Sequence, residues 1–334
     1  MTAPLAVSLG DPAGVGPELI CEAWAQRESE RLPSFFACGG ADLLAAAGAR
    51  RGLDVPVRRV RSAIEATQAF ADALPVYGDI DGPYGPGAPD QDGARLALAS
   101  LNHATRLAVA GEASGVVTGP IAKSLLAEVG FDFPGQTEFV AAACGVAAES
   151  AVMMLAGPSL RTVPLTVHVA LADVPSLLTS ELIVRRASIV AAALERDFGL
   201  VRPRLAICAL NPHAGENGRM GSEEQAIIQP AIDALRARGI EATGPHPADS
   251  LFAPRARETY DVAIAMYHDQ ALVPLKALDF DNGVNITLGL PIVRTSPDHG
   301  TAFAIAGQRI ADPGATIAAI RMAGEAAGRR AGRP

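Results

Sequence analysis

Short runs of Val, Ile, Leu and Ala alternate along this chain with amphipathic stretches of helical period, a pattern that admits few folds. A strand that is apolar on both faces needs cover on both, so such a chain builds a mostly parallel sheet with helices on either side. The spacing predicts strands over 5–9, 35–38, 115–118, 152–156, 162–169, 205–210, 262–266, 284–288 and 302–305, and helices over 17–25, 93–110, 181–195 and 223–238. Helix 93–110 sets Leu96, Ala99 or Ser100, His103 and Leu107 on one face, which reads as scaffold. Segment 77–92 reads as an irregular loop forming a wall of a cleft, and the small-residue, basic tail from Ala323 is expected to fray.

Three of the predicted strands run into a histidine: His168 ends 162–169, His213 follows 205–210, and His268 follows 262–266. In an open α/β sheet the C-terminal strand ends face the ligand crevice, so three imidazoles placed this way are candidates to meet around one cation. The alternative is that each is a hydrogen-bonded edge residue. His213 precedes Ala214-Gly215-Glu216-Asn217-Gly218 and His268 precedes Asp269-Gln270, polar groups able to orient a ring. His103 in mid-helix, His246 between prolines and His299 in a glycine loop lack that setting.

Composition bounds the class. The 334 residues suffice for two domains, and 49% hydrophobic content fills their cores. A formal net charge of −8 gives no footprint for nucleic acid or an anionic membrane. Cys21, Cys38, Cys144 and Cys208 show no paired spacing, which fits reduced core thiols and a cytoplasmic location. The chain opens on a strand pattern, so neither export nor membrane insertion is expected.

Several loops are candidates for chemistry. Gly10 to Glu18 follows a strand and opens a helix with Pro17 in its first turn, but fits neither standard nucleotide fingerprint; it reads equally as a tight turn or an anion loop. Residues 118–124 and 133–138 feed helices, where Thr137 reads equally as a cap or a ligand contact. Lys276, Asn285 and Arg294 form a group suited to phosphate or carboxylate, with Arg294 set in an apolar context unlike that of a solvated charge. Residues 296–302 read by physics alone as a glycine turn, one that could let a cofactor approach the backbone.

Taken together, GDPAGVGPE (10–18), TGPIAKSLL (118–126), PGQTEF (134–139), NPHAGE (211–216), MYHDQALVPLK (266–276) and GVNITLGLPIVRTSPDHGTA (283–302) resemble the 4-hydroxythreonine-4-phosphate dehydrogenase family of vitamin B6 biosynthesis from end to end. The resemblance implies an α/β fold like that of isocitrate and isopropylmalate dehydrogenases, with two α/β/α domains flanking a cleft. Residues 1–127 plus 275–334 would form a discontinuous first domain with the cofactor loops. Residues 128–274 would form a second, with metal ligands and dimer contacts. It implies a homodimer in which the ligands are His168, His213 and His268, the last reaching the partner's site. Substrate contacts would be Gln136, Thr137, Lys276, Asn285 and Arg294. Position 136 departs from the family's usual His, and an amide cannot shuttle a proton. His299, Gly300 and Thr301 resemble the atypical dinucleotide loop of the wider superfamily.

The implied activity is NAD- or NADP-dependent, divalent-metal-dependent (zinc, cobalt or magnesium) oxidation of 4-phosphohydroxy-L-threonine to a β-keto acid that decarboxylates to 3-amino-2-oxopropyl phosphate. Asp249 and Asp269 are candidates for ligand orientation or proton transfer. Related sequences apply the chemistry to phosphorylated threonate- or erythronate-type sugar acids or aromatic cis-dihydrodiols. Two rivals differ in class: acyl transfer to phosphate, which leaves the three histidines unexplained, and metal storage, which leaves Lys276, Asn285 and Arg294 without purpose.

Overall fold

A computed structural model describes residues 2–332. The chain forms two compact α/β units, Met1–Ala151 with Leu290–Pro334, and Val152–Gly289. The expected boundaries near 127 and 275 therefore fall at 151/152 and 289/290. Residues 128–151 belong to the first unit because Val140, Ala141 and Ala151 are buried together with Leu290. Residues 284–288 belong to the second because they pair with its sheet.

The first unit contributes strands β1 (Leu5–Ser8), β2 (Phe35–Cys38), β3 (Val57–Val60), β4 (Leu74–Tyr77) and β5 (Val116–Thr118). The second carries β6 (Val152–Ala156), β7 (Arg161–Pro164), β8 (Leu205–Cys208), β9 (Ala242–His246), β10 (Val262–Ala265) and β11 (Val284–Leu288), and the chain then returns to the first for β12 (Arg294–Pro297). In the first unit the order β3-β4-β2-β1-β5-β12 is parallel throughout. β1, β2, β5 and β12 are buried along their whole length, as strands covered on both faces must be. On helix Gln91–Val109, Leu96, Ser100 and Leu107 are buried as the periodicity predicts, and Ser100 ties two strand ends together: its hydroxyl accepts from Leu9 N (3.0 Å) and donates to the Cys38 carbonyl (2.6 Å).

The second unit has the order β11-β6-β7-β10-β8-β9, parallel from β7 to β9 and antiparallel on both sides of β6. β6 and β7 join through a tight turn at Gly157, where Gly157 N bonds Leu160 O at 2.9 Å. The buried Asp279 holds that turn by accepting from Ser159 N at 2.9 Å, and a Cβ on Gly157 would lie 2.3 Å from its carboxylate.

Four expectations are corrected. Strand 162–169 ends at Pro164, leaving His168 in the loop beyond it. Residues 302–305 are not a strand: Ala302 has φ +49°, which turns the chain into a 3₁₀ turn at Phe303–Ile305. Helix 223–238 opens as a π turn, Glu224–Ile228, before continuing as Gln229–Ala237. The tail from Ala323 continues helix Gly314–Ala331, whose Ala323, Ala326 and Ala327 are buried. Among the described residues no helix is long and apolar enough to cross a membrane.

Candidate active-site residues

β7, β10 and β8 are adjacent and parallel, with β10 in the middle, so the loops carrying His168, His268 and His213 leave one edge of the sheet. Side chains stitch those strand ends together. Thr166 Oγ1 donates to the Met266 carbonyl at 2.9 Å, joining the loop after β7 to the end of β10. Gln270, buried, accepts from Met266 N at 2.7 Å and donates to the Ala209 carbonyl at 2.8 Å, joining β10 to β8. The spacing of the histidine-bearing loops is thus set by buried hydrogen bonds, which unlike surface ones cannot be exchanged for water.

The His168 and His268 rings lie 5.8 Å apart, centroid to centroid. His268 opens helix His268–Asp279, and its Nδ1 lies 2.7 Å from Asp269 Oδ1. A carboxylate can only accept, so Nδ1 is the donor, which leaves Nε2 as the ring nitrogen a metal would take. His168 (φ +53°) and His213 (φ +51°) both adopt the left-handed backbone that non-glycine residues avoid, a form of strain that concentrates at functional sites. Three imidazoles are a zinc- or cobalt-type donor set. Within one chain, among the described residues, no three His, Cys, Asp or Glu side chains converge on a common point.

His213 begins a run of five left-handed residues, with φ of +51°, +53°, +73°, +42° and +57° through Asn217. Four are not glycine, at roughly 1–2 kcal/mol each. Glu224, only 4% exposed, holds the entry to the run: Oε1 accepts from Leu210 N (2.9 Å) and Asn211 N (2.8 Å), and Oε2 from Asn211 Nδ2 (3.0 Å). Hydrogen bonds to a charged acceptor contribute about 1.5–3 kcal/mol each, enough to offset the turn.

In the first unit Arg294, Gln136, Thr137 and Thr118 come together. The Arg294 guanidinium donates to Thr118 Oγ1 (2.8 Å) and Gln136 Oε1 (3.0 Å) and lies 3.5 Å from Thr137 Oγ1. Arg294 is 3% exposed, and burial pulls its pKa down to about 10, against a smaller opposing pull from Glu138. A buried guanidinium that donates to hydroxyl and amide oxygens is suited to an anionic ligand. Helix Gln136–Ala143 is preceded by Gly135 at its N-cap, and Thr137 lies within the first turn, so capping does not explain Thr137. Gln136 is oriented on both sides, since its Nε2 donates to the Gly119 carbonyl at 3.0 Å.

In the second unit Lys276 lies on the helix that begins at His268, and Asn285 on β11. Asn285 Oδ1 is buried without a hydrogen-bond partner among the described residues, an acceptor that calls for a donor. Asp249 is exposed on the short helix Ala248–Leu251.

The loop at 10–18 proves to be a joint. Asp11 N bonds Pro120 O (2.8 Å), Ala13 N bonds Asp11 Oδ1 (3.0 Å), Gly14 N bonds Asp11 O (3.0 Å), and Val15 N bonds Thr301 O (2.9 Å). Those donors are engaged within the protein and do not form an anion cradle. The last of them latches the loop at His299, Gly300 and Thr301, and Gly14 is required there because a Cβ would come within 2.7 Å of Thr301 O. Gly300 has open space beside it, and His299 Nδ1 lies 2.9 Å from Gly300 O. Segment 77–92 lines a cavity of about 320 Å³ with Pro12 and Ala13, but its carboxylates already serve the fold: Asp81 accepts from Asp42 N and Leu43 N, and Asp90 caps helix Gln91–Val109.

Thr166 and Glu224 carry no signal in the sequence, whereas Thr118 opens the 118–124 segment, which the sequence already marks for its hydroxyl and amide groups. Gln270 reads from the sequence as a group able to orient a ring, and its amide instead bonds the backbone of Met266 and Ala209.

The profile of the family described as "Pyridoxal phosphate biosynthetic protein PdxA" matches residues 31–323. A 4-hydroxythreonine-4-phosphate dehydrogenase of Erythrobacter litoralis is 63% identical over 98% of each chain. The crystal structure of the Klebsiella pneumoniae 4-hydroxythreonine-4-phosphate dehydrogenase superposes with a TM-score of 0.84 at 35% identity, covering 98% of each chain. A terephthalate 1,2-cis-dihydrodiol dehydrogenase from Burkholderia xenovorans gives 0.65 at 31% identity, over 97% of this chain and 98% of that one. With a profile spanning most of its length and a relative identical at nearly two positions in three, this chain belongs to the PdxA family.

Proposed function

We propose that this oxidoreductase acts on 4-phosphohydroxy-L-threonine, oxidising its secondary hydroxyl with NAD or NADP to a β-keto acid that decarboxylates to 3-amino-2-oxopropyl phosphate, a step of pyridoxal phosphate biosynthesis. The observation that carries the reading is the set of three neighbouring parallel strands each followed by a histidine at the same edge, two of them in left-handed backbone. His168, His213 and His268 would hold a divalent cation such as zinc, cobalt or magnesium, which supplies Lewis acidity to the substrate hydroxyl and to the carbonyl formed from it. Asp269 keeps His268 in the ligating tautomer. Arg294 binds the anionic end of the substrate, steadied by Gln136, Thr118 and Thr137. Lys276 supplies a second positive charge, and the Asn285 Oδ1 acceptor fits a hydroxyl or amine of the substrate. His299, Gly300 and Thr301 receive the nicotinamide dinucleotide. Asp249, being exposed, is proposed only for proton exchange with solvent.

We place the enzyme in the cytoplasm as a homodimer in which His268 of each chain completes the metal site of its partner. Exposed Val169 and Leu171 beside His168, and Val273 and Phe280 on and after the helix of His268, support an interface on that unit. A second reading keeps the chemistry and changes the substrate to a phosphorylated sugar acid or an aromatic cis-dihydrodiol. The Burkholderia dihydrodiol dehydrogenase favours it, and the greater likeness to the Klebsiella enzyme favours the first.

The test is an anaerobic assay of metal-reconstituted protein with 4-phosphohydroxythreonine, threonate phosphate and a cis-dihydrodiol, following reduced cofactor. Fastest turnover on the first, abolished by a chelator and restored by added metal, is expected. Faster turnover on another substrate overturns the assignment, and full activity in chelator overturns the metal.

A further inference from the structure

We infer that Glu224 is the positioning residue of His213: its buried carboxylate holds the left-handed turn in the one conformation that presents that ring at the sheet edge. The inference rests on the metal-site reading above and adds a residue to it. Five consecutive left-handed residues, His213 to Asn217, are a conformation the chain leaves as soon as nothing restrains it. The segment lies between the end of β8 and the π turn Glu224–Ile228. Its entry is held by the Glu224 side chain. Glu224 accepts from the backbone of Leu210 and Asn211 and from Asn211 Nδ2, so both carboxylate oxygens are used on the residues just before Pro212-His213.

The far side of the turn closes on the same carboxylate. Gly215 has φ +73°, and a Cβ there would sit 2.6 Å from Glu224 Oε2. Met220 N returns to the Gly215 carbonyl at 3.0 Å, and a Cβ on Gly221 would meet Asn211 Nδ2 at 2.3 Å. Asn211 itself is gripped twice, by Glu224 and by Glu223 Oε2 at 2.8 Å. The π turn beginning at Glu224 is the kind of helical irregularity that recurs at functional sites, and here it sets the carboxylate under the loop. Glu224 does not touch the imidazole. It acts by fixing the backbone from which the imidazole projects.

The test is cobalt(II) binding by full-length protein, read by chelator competition and by the visible absorption of the bound ion. Glu224→Gln keeps the size but turns one acceptor into a donor facing the Asn211 amide. It is expected to weaken cobalt binding about 10- to 100-fold, the usual effect of losing a group that orients a ligand, and to alter the absorption band. His213→Ala is the control that separates the two ideas. If it leaves cobalt affinity unchanged, the metal-site reading fails; if it weakens binding while Glu224→Gln does not, only the positioning role fails. The double variant should bind no more weakly than His213→Ala alone, because Glu224 acts through that ring, and additive losses would overturn this. A merely structural Glu224 would lower the melting temperature and leave cobalt affinity and spectrum as they were. Should Glu224→Gln not fold, Asn211→Ala removes one of the three bonds and is expected to weaken cobalt binding in the same direction; unchanged binding there overturns the proposal.

Discussion

Gln136 accepts a 3.0 Å hydrogen bond from Arg294 Nη2 and donates one of equal length to the Gly119 carbonyl, so its amide is held at both ends by the protein. In the proposed site, residue 136 would act on an anionic ligand through the guanidinium it orients. A neutral amide suits that task. It gives Arg294 an acceptor without cancelling the charge that Arg294 offers.

Gln136→Ala should accordingly raise KM for the anionic substrate, with a loss of roughly 1.5–3 kcal/mol in kcat/KM and unchanged metal content. Gln136→Glu should be worse, since a carboxylate beside Arg294 neutralises it and faces the Gly119 carbonyl with no donor. Steady-state kinetics on both variants decide the matter. A Gln136→Glu enzyme with better KM than Gln136→Ala would contradict the buttress role.

Gly14→Ala tests the loop at 299–301 independently. The added Cβ would meet Thr301 O at 2.7 Å and force open the Val15 N to Thr301 O latch. The expected outcome is a KM for the dinucleotide raised about tenfold, near 1.4 kcal/mol, with the substrate KM and metal affinity kept. Equal effects on both Michaelis constants would remove the loop from the cofactor site.

What could be read from the sequence was what is local. An apolar run ending in a polar residue is a contiguous signal, and so the strands before His213 and His268 were legible. β3 escaped because Val57–Val60 carries two exposed arginines, and β4 because it is four residues long and contains Pro75. Phe303-Ala304-Ile305 has a strand's composition, but the turn at Ala302 prevents pairing. The hydrogen bond between Gln136 and Arg294 spans 158 positions, and those that Glu224 accepts from Leu210 and Asn211 lead into a left-handed turn that composition does not announce. Such contacts between residues apart in the sequence are set by the tertiary fold.

If His268 completes the partner's metal site, His213→Ala and His268→Ala should each be inactive as pure proteins, since every site lacks one ligand. Mixed dimers place both defects in one site and none in the other, so about half the normal activity per mixed dimer should return. Verified subunit exchange without any recovery would mean that the three ligands belong to one chain.

Asp11 yields a prediction about stability against pH. Its carboxyl is 1% exposed; Oδ1 accepts from Ala13 N at 3.0 Å, and Oδ2 has no hydrogen-bond partner among the described residues. Burial, with a smaller push from the Asp90 charge, raises its pKa above the ordinary 3.8. A raised pKa means that the folded chain holds this proton more tightly than the unfolded chain. Between 3.8 and the raised value the folded state then binds more protons, so this group's contribution falls as pH rises and stays unfavourable above that window. Asparagine cannot ionise, keeps an oxygen for Ala13 N–H, and so escapes the penalty. Asp11→Asn should match the wild type in acid and become progressively more stable than it as pH is raised to neutrality. Denaturant unfolding of both proteins across about pH 4 to 8 measures the gap. A gap that is constant with pH, or that narrows as pH rises, would show that Asp11 is not forced to ionise in an unfavourable setting.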